Sequence, residues 1–325
     1  MTGNDVYFDW PVNRGKKARE VWYSLVTHPT EPLAVWYRYS LISSRDRQEG
    51  RVWIGVSDER ESERCFLRTE SFGIDELRYE SPLNLETPVG GIENDGAYGE
   101  TDGVSWRFSY SQDTVTFTPL RSEKLTSVAE KFLGSGRHWS FNQSVEMDGV
   151  LEIDGREFEF RDAPGHQGHT VGRSMPEKWS WMHCNSFKDS SISIEALYLD
   201  GKTTVCFRRG GDVYMLNRLN QVFRRNRTRY SKPGRWRLMA GGRDIELDVR
   251  VNVDPGDCGY RKACYLAPGG GSRYVAHCSL ADIEVNIDTE GYPEKVVSDK
   301  ARVEWGSTSP PVGKKEEYTP PEYVD

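Results

Sequence analysis

Side chains able to do chemistry concentrate in one short stretch, APGHQGHTVGRSMPEKWSWMHCNSF, residues 163–187. Its first half carries His166 and His169 in a Gly-rich segment that reads as a loop between strands, where an imidazole can serve as general acid, general base or metal ligand. A metal would need a third and a fourth ligand. His183 could supply one, but Cys184 falls on the opposite face of its strand, so no metal is expected. The other role open to His169 is structural, as a hydrogen-bonded group between two barrels. In the second half, alternation puts Trp179, Trp181, His183, Asn185 and Phe187 on one strand face and Ser180, Met182, Cys184 and Ser186 on the other. Rings with a few polar groups describe a barrel interior that holds an apolar ligand. They also describe a plain core in which His183 and Asn185 satisfy backbone groups.

The elements that must position these residues are strands. The chain has 10 Trp, 16 Tyr and 12 Phe, most in short alternating runs bounded by Gly, Asp and Asn. Over residues 34–42, Val35, Tyr37, Tyr39 and Leu41 share one face, with Trp36, Arg38 and Ser40 on the other. In residues 104–110, Val104, Trp106, Phe108 and Tyr110 alternate with polar residues. Tyr39 and Trp106 are therefore further candidates for a ligand wall. Asp102-Gly103, Asp148-Gly149, Asp154-Gly155 and Asp200-Gly201 are hairpin signals, since Asp-Gly tolerates the positive φ of a type I′ turn. One helix is expected, over residues 121–134, from Leu125, Val128, Ala129 and Phe132 at helical spacing with Gly134 behind them. The fold class read from this pattern is all-β: two consecutive antiparallel barrels with one short helix. Residues 1–162 form the first domain and 163–305 the second, leaving a Pro-rich tail, 306–325, disordered or draped over the surface.

The 325 residues, 29% of them charged, give a net charge of −7, which argues against a protein that coats nucleic acid. No run is long and apolar enough for a membrane-spanning helix, and the first residues carry no secretory signal, so a cytoplasmic protein is expected. The six cysteines lack CxxC spacing and signal neither a disulfide framework nor a zinc site. A basic stretch, Arg224, Arg225, Arg227, Arg229, Lys232, Arg235 and Arg237, interleaves with Phe223, Tyr230 and Trp236. It reads either as an anion-binding surface or as a hairpin whose arginines point outward to acidic partners. With no phosphate-binding loop, dinucleotide fingerprint or GxSxG elbow, no cofactor is expected.

The hairpin GVLEIDGREFEF, the following Gly- and His-containing segment, and the strand WSWMHCNSF together resemble the two-domain lipocalin-like superfamily of carotenoid 1,2-hydratases, tocopherol cyclases and AttH-type proteins, a fold shared by some fungal Diels–Alderases. Trp179, Trp181, Cys184, Asn185 and Phe187 stand in places that match the tocopherol cyclase strand, and EVWYSL and LAVWYRYSL are similar to the superfamily's first strands. Of the family's D-H-x-W-G loop, His169 and Gly172 are kept and the Asp and Trp are not. The resemblance implies two lipocalin-like barrels and a cofactor-independent cyclase, isomerase or hydratase acting on an isoprenoid or polyketide-like substrate. It implies an acid near a tyrosine on a later strand, which Tyr198 and Asp200 could supply, although Asp200 also reads as the hairpin turn before Gly201. Glu177 and Glu195 are other carboxylates nearby, useful as acids only if buried. The missing loop Asp favours cyclisation driven by pocket shape, with His169 as the alternative proton carrier. A non-catalytic carrier of a hydrophobic small molecule would use the same cavity.

Overall fold

In the computed structural model, which describes residues 4–113, 115–122, 124, 126–127, 136–253 and 260–323, the alternating runs pair into two antiparallel sheets. The first is built from β1 (Ala18–Thr27), β2 (Leu33–Ser43), β3 (Gln48–Asp58), β4 (Phe66–Phe72), β5 (Arg78–Glu80), β6 (Asn84–Thr87), β7 (Gly90–Glu93), β8 (Gly96–Thr101), β9 (Val104–Tyr110), β10 (Arg137–Ile153) and β11 (Arg156–Gly172). The second comprises β12 (Lys178–Cys184), β13 (Ser193–Leu199), β14 (Lys202–Arg209), β15 (Asp212–Leu216), β16 (Arg227–Lys232), β17 (Arg235–Gly241), β18 (Glu246–Asn252), β19 (Arg261–Leu266), β20 (Ser272–Thr289) and β21 (Tyr292–Ser307). In each sheet the first strand pairs with the last, β1 with β11 and β12 with β21, and the remaining strands meander outward from that junction. Both sheets curl, bringing β4 toward β8 and β14 toward β16. This is the expected all-β, two-sheet architecture.

Strand alternation fills three cores. Tyr37, Tyr39, Trp106, Phe108 and Phe160 pack inside the first sheet, and Met182, Ile194, Trp236, Val249 and Val303 inside the second. Trp36, Trp53, Trp179, Trp181 and Tyr265 form a third cluster between the sheets. Tyr39 and Trp106 are thereby corrected from ligand wall to core. The Tyr39 hydroxyl donates to the Tyr98 carbonyl at 2.6 Å. The Trp106 ring lies so close over Gly99 that a Cβ there would come within 2.2 Å of it.

The turns at Asp154-Gly155 (φ 50° and 81°) and Asp200-Gly201 (φ 49° and 79°) are as expected. Asp148-Gly149 is not a hairpin: β10 runs through it, with a register irregularity between Met147 and Gly149. The bulge is held by Asp148 Oδ1, which accepts the Asp162 N–H at 2.9 Å. Beyond Asp162, β11 continues to Gly172, so residues 163–172 are strand rather than loop, and the division at 162 falls inside the first sheet. The glycines there serve close approach: a Cβ on Gly165 or Gly168 would collide with the side chains of Met147 or Tyr23. Most of the expected helix lies outside the described residues; Lys124, Thr126 and Ser127 are helical, and the Thr126 N–H donates to the Ser122 carbonyl. The basic stretch forms the edge hairpin β16–β17, where Arg227, Arg229, Lys232 and Arg235 point to solvent and Arg237 pairs with Asp248 at 2.7 Å. Cys65 is disulfide-bonded, contrary to expectation, because a single bond between distant cysteines leaves no spacing signature.

The tail is also corrected. Its aliphatic poverty hides two anchors, Tyr318 and Tyr323, which are 1% and 5% exposed and pack with Cys264 and Tyr274 of the second sheet. The Cys264 N–H donates to the Thr319 carbonyl at 2.7 Å, and the Ser272 hydroxyl donates to the Tyr323 carbonyl. From this anchorage the tail reaches the first sheet: the Tyr323 hydroxyl meets Glu49, and Glu322 pairs with Arg51 at 2.8 Å. Replacing Tyr318 by Ala should cost about 3 kcal/mol, the usual scale for emptying a buried aromatic site. The urea midpoint measures this, and a merely draped tail would leave it unmoved.

Candidate active site

Between the sheets lies a cavity of about 410 Å³. It is not a barrel interior, because both interiors are filled by their own side chains. One wall carries the outward positions of β1 and β2: Arg19, Val21, Tyr23, Trp36 and Arg38. The facing wall carries Trp179 and Trp181 of β12, Leu197 and Leu199 of β13, Tyr265 of β19, His277 of β20 and Glu304 of β21. Asp200, Lys202, Val222 and Phe223 form part of the rim.

Glu304 is the carboxylate of the inner wall. On β21, Val303 and Trp305 enter the second core, so the intervening Glu304 must face the first sheet. The Trp179 indole N–H donates to its Oε1 at 2.5 Å. Burial raises the pKa of this carboxyl above the ordinary value, against the opposing pull of Trp179, Arg38, Arg19 and His138. A carboxyl whose pKa is raised beside an apolar cavity is suited to act as a proton donor.

Glu195 behaves in the opposite way. Burial alone would raise it, but His166, His138 and Ser140 together hold it below the ordinary value. It accepts the Ser140 hydroxyl at 2.6 Å and the Trp181 indole N–H at 2.9 Å, with His138 Nε2 at 3.5 Å. Burial, reinforced by Glu195, pushes the phenol of Tyr23 well above its usual range, so it remains a neutral hydroxyl. Behind this group, His166 and His183 lie 4.2 Å apart and both approach the Gln143 carbonyl, at 3.2 and 2.8 Å. Burial lowers both imidazoles, and lowers His277 to about 3. Among the described residues no group of three or more His, Cys, Asp or Glu is arranged to hold a metal ion.

Of the residues singled out in the sequence, Trp179 and Trp181 line the cavity and Asp200 stands on its exposed rim. His183 and Asn185 share the strand face of those tryptophans but bridge the sheets past the cavity's end, Asn185 donating to the Gly165 carbonyl at 2.8 Å. Tyr198 has the opposite parity to Leu197 and Leu199 and packs on the second core. His169 lies on the inner face of the first sheet, stacked on Trp22 at 4.7 Å and bonded to Glu20 at 3.0 Å. Glu20 also accepts the Tyr7 and Phe8 N–H groups and the Trp10 indole, so the His169 pair fastens the N-terminal segment. Sequence reasoning missed Glu304, Arg19 and Arg38. The available signal was charge on alternate positions of strands whose other positions are wholly apolar, as in Arg302-Val303-Glu304-Trp305.

Residues 138–255 match the family described as Tocopherol cyclase-like. Over 137 residues the chain is 28% identical to a chloroplastic tocopherol cyclase of Zea mays, a match that covers 39% of this chain and 28% of the maize protein. The crystal structure of a protein described as AttH from Nitrosomonas europaea aligns over 95% of this chain and 98% of its own, with 13% identity and a TM-score of 0.55, and so shares the fold. Kievitone hydratase from Nectria haematococca aligns over 94% of this chain and 93% of its own, with 12% identity and a TM-score of 0.48. The chain thus resembles the two-domain lipocalin-like proteins in its fold throughout and tocopherol cyclases over part of its length.

The two buried carboxyls should leave opposite marks on stability. Glu304, raised in the fold, favours folding in acid, and that contribution is lost as pH rises through its folded pKa. Glu195, depressed in the fold, contributes above the ordinary carboxylate value, and its contribution is lost as pH falls through its folded pKa. Urea midpoints should therefore show Glu304→Gln gaining on wild type as pH rises above the ordinary carboxylate value, and Glu195→Gln losing on wild type as pH rises toward that value from below. Parallel profiles would contradict the assignment.

Proposed function

We propose that the chain is a cyclase/hydratase-type enzyme in which Glu304 protonates a carbon–carbon double bond of a hydrophobic substrate held between the two sheets. The observation that carries this reading is a buried carboxyl, raised by burial, on the wall of a ring-lined cavity. Proton transfer from Glu304 to an alkene carbon leaves a carbocation on the substrate and a carboxylate on the protein. The faces of Trp179, Trp181 and Trp36 stabilise that cation while excluding stray water. Capture by a hydroxyl of the same molecule closes a ring, and capture by water hydrates it; in either case the oxygen's surplus proton returns to Glu304. Nothing in this cycle consumes a cofactor. The resemblance to tocopherol cyclases supports a hydrophobic, isoprenoid-like substrate, and the ring-bearing walls on both sides of the cavity suit the held conformer that a cyclisation needs.

His169, Tyr198 and Asp200 have other work in this reading: His169 fastens the N-terminal segment, Tyr198 packs a core, and Asp200 makes a turn at the rim. A second reading, cyclisation driven by shape without a fixed acid, draws on the same indole walls. A carrier would fill the cavity and change nothing.

Extraction of protein purified from its own host, followed by mass spectrometry, should yield an unreacted precursor from Glu304→Gln and its isomer or hydrate from wild type. With that compound as substrate, Glu304→Gln should lower turnover roughly 10²-fold or more while binding persists. Activity of wild type should fall as pH rises through the Glu304 pKa. Trp179→Phe removes a hydrogen bond that favours the carboxylate, so this limb should move to higher pH. Full turnover in Glu304→Gln together with loss in Trp181→Ala would establish the shape-driven route instead, and an identical compound from every variant would establish a carrier.

A further inference from the structure

Two arginines on the cavity wall lack the anions that such burial ordinarily demands. Arg38 is 6% exposed, and its guanidinium lies flat on the Tyr265 ring, 3.7 Å from the centroid. Arg19 lines the same wall from the neighbouring strand, two same-face positions along it, since Arg38 pairs with Tyr23 and Arg19 with Ile42. Neither makes an ion pair among the described residues, and the Nε of each is buried without a hydrogen-bond partner. The strain registers on Arg19, whose pKa falls to about 9 through burial and then through the nearby charge of Arg38. The neighbouring Arg273 is also a cation, and its own Nε is already bound to the Pro176 carbonyl at 2.7 Å. Among the described residues that line the cavity the carboxylates are Asp200, at the exposed rim, and Glu304, beside the cations Arg19, Arg38 and Lys202. The inner end thus sets two guanidinium groups against the single carboxyl of Glu304, which pairs with neither. A guanidinium withdrawn from water without an ion pair is destabilising, so its place in a ligand cavity is explained by a ligand that supplies the missing charge.

We propose that the substrate is an amphiphile with an anionic head, a carboxylate or an ionised acidic enol or phenol, seated against Arg19 and Arg38, with its apolar body running along Trp179, Trp181 and Leu199 toward the rim. This deepens the proposed function and rests on the same cavity. It also assigns the head a second effect. The two arginines pull the Glu304 pKa down while the site is empty, and an anion lying between them and Glu304 cancels that pull. Substrate binding then raises the acid, so the proton is most firmly held when the alkene has arrived.

A matched pair of fluorescent probes tests the head group directly. Anilinonaphthalene sulfonate and N-phenylnaphthylamine have the same ring skeleton, and only the first carries an anion. Wild type should bind the sulfonate roughly tenfold or more tighter than the amine, the scale of a charged hydrogen-bond pair out of water. Arg19→Gln and Arg38→Gln should each erase most of that preference while amine binding stays, which also shows that the variants are folded. Arg19→Lys should keep part of it, and Arg224→Gln, on the exposed edge, should keep all of it. Equal affinity for the two probes in wild type, no binding of either, or a preference that survives in both Gln variants would overturn the proposal. So would a preference that disappears in Arg224→Gln. Glu304→Gln should leave the sulfonate preference intact or enlarged, so the probe test fails or succeeds independently of whether Glu304 is the catalytic acid, which turnover alone decides; a preference lost in Glu304→Gln would count against the arginine site.

Discussion

The central strands of both sheets have no solvent face. β1, β2 and β3 send alternate side chains into the first core and against the second sheet, and β12 and β21 do the reverse. A strand buried on both sides ordinarily reads as a continuous apolar run. Here the shared face carries Arg38, Ser140, Gln143, His166 and Glu195, each removed from water by the opposing sheet, and Arg19 and Glu304, half-buried on the cavity wall. Polar groups in that position must find partners across the seam or leave space for something that does. Toward one end they find partners: His183 and His166 share the Gln143 carbonyl, and Asn185 reaches Gly165. Toward the other they leave a cavity.

That division explains the electrostatics. The same low-polarity seam raises Glu304 and lowers His277, and the only difference between Glu304 and Glu195 is the company each keeps. Glu195 has hydroxyl, indole and imidazole neighbours converging on its Oε1, and they hold it below the ordinary carboxylate value. Glu304 has one indole bond and open space. Two carboxyls on the strands that flank β12 are driven apart in acidity, one lowered by its polar neighbours and the other raised by burial.

Much of the fold was legible because period-two alternation and Asp-Gly turns are local properties. The β2 run even showed its two faces, with Trp36 and Arg38 opposed to Tyr37 and Tyr39. Which face would meet a ligand was not legible. Nothing local says that Tyr39 lies inside a filled barrel while Arg38 lies beside a cavity, since that depends on a second sheet more than a hundred residues away. The Gly-rich stretch from Gly165 to Gly172 misled for a related reason. Its glycines mark where Met147 and Tyr23 press on the strand, not where the strand ends. Glu304 was missed because it lies far along the chain from the conspicuous histidines and tryptophans, and only the pairing of β12 with β21 sets it across from Trp181. The tail was misjudged by counting aliphatic residues when two tyrosines were enough.

Alternation along β1 separates two kinds of inheritance. Glu20 and Trp22 answer to the first core and to the N-terminal segment, whereas Arg19, Val21 and Tyr23 answer to whatever fills the cavity. Point substitutions at the odd positions can retune ligand choice without touching the fold, and those at the even positions can adjust stability without touching the ligand. A single-residue insertion within the strand exchanges the two sets at once and loses both. Diversification of such a protein is therefore free in side chain but rigid in strand length, and new substrates are reached by repainting one face of a wall whose other face holds up the barrel.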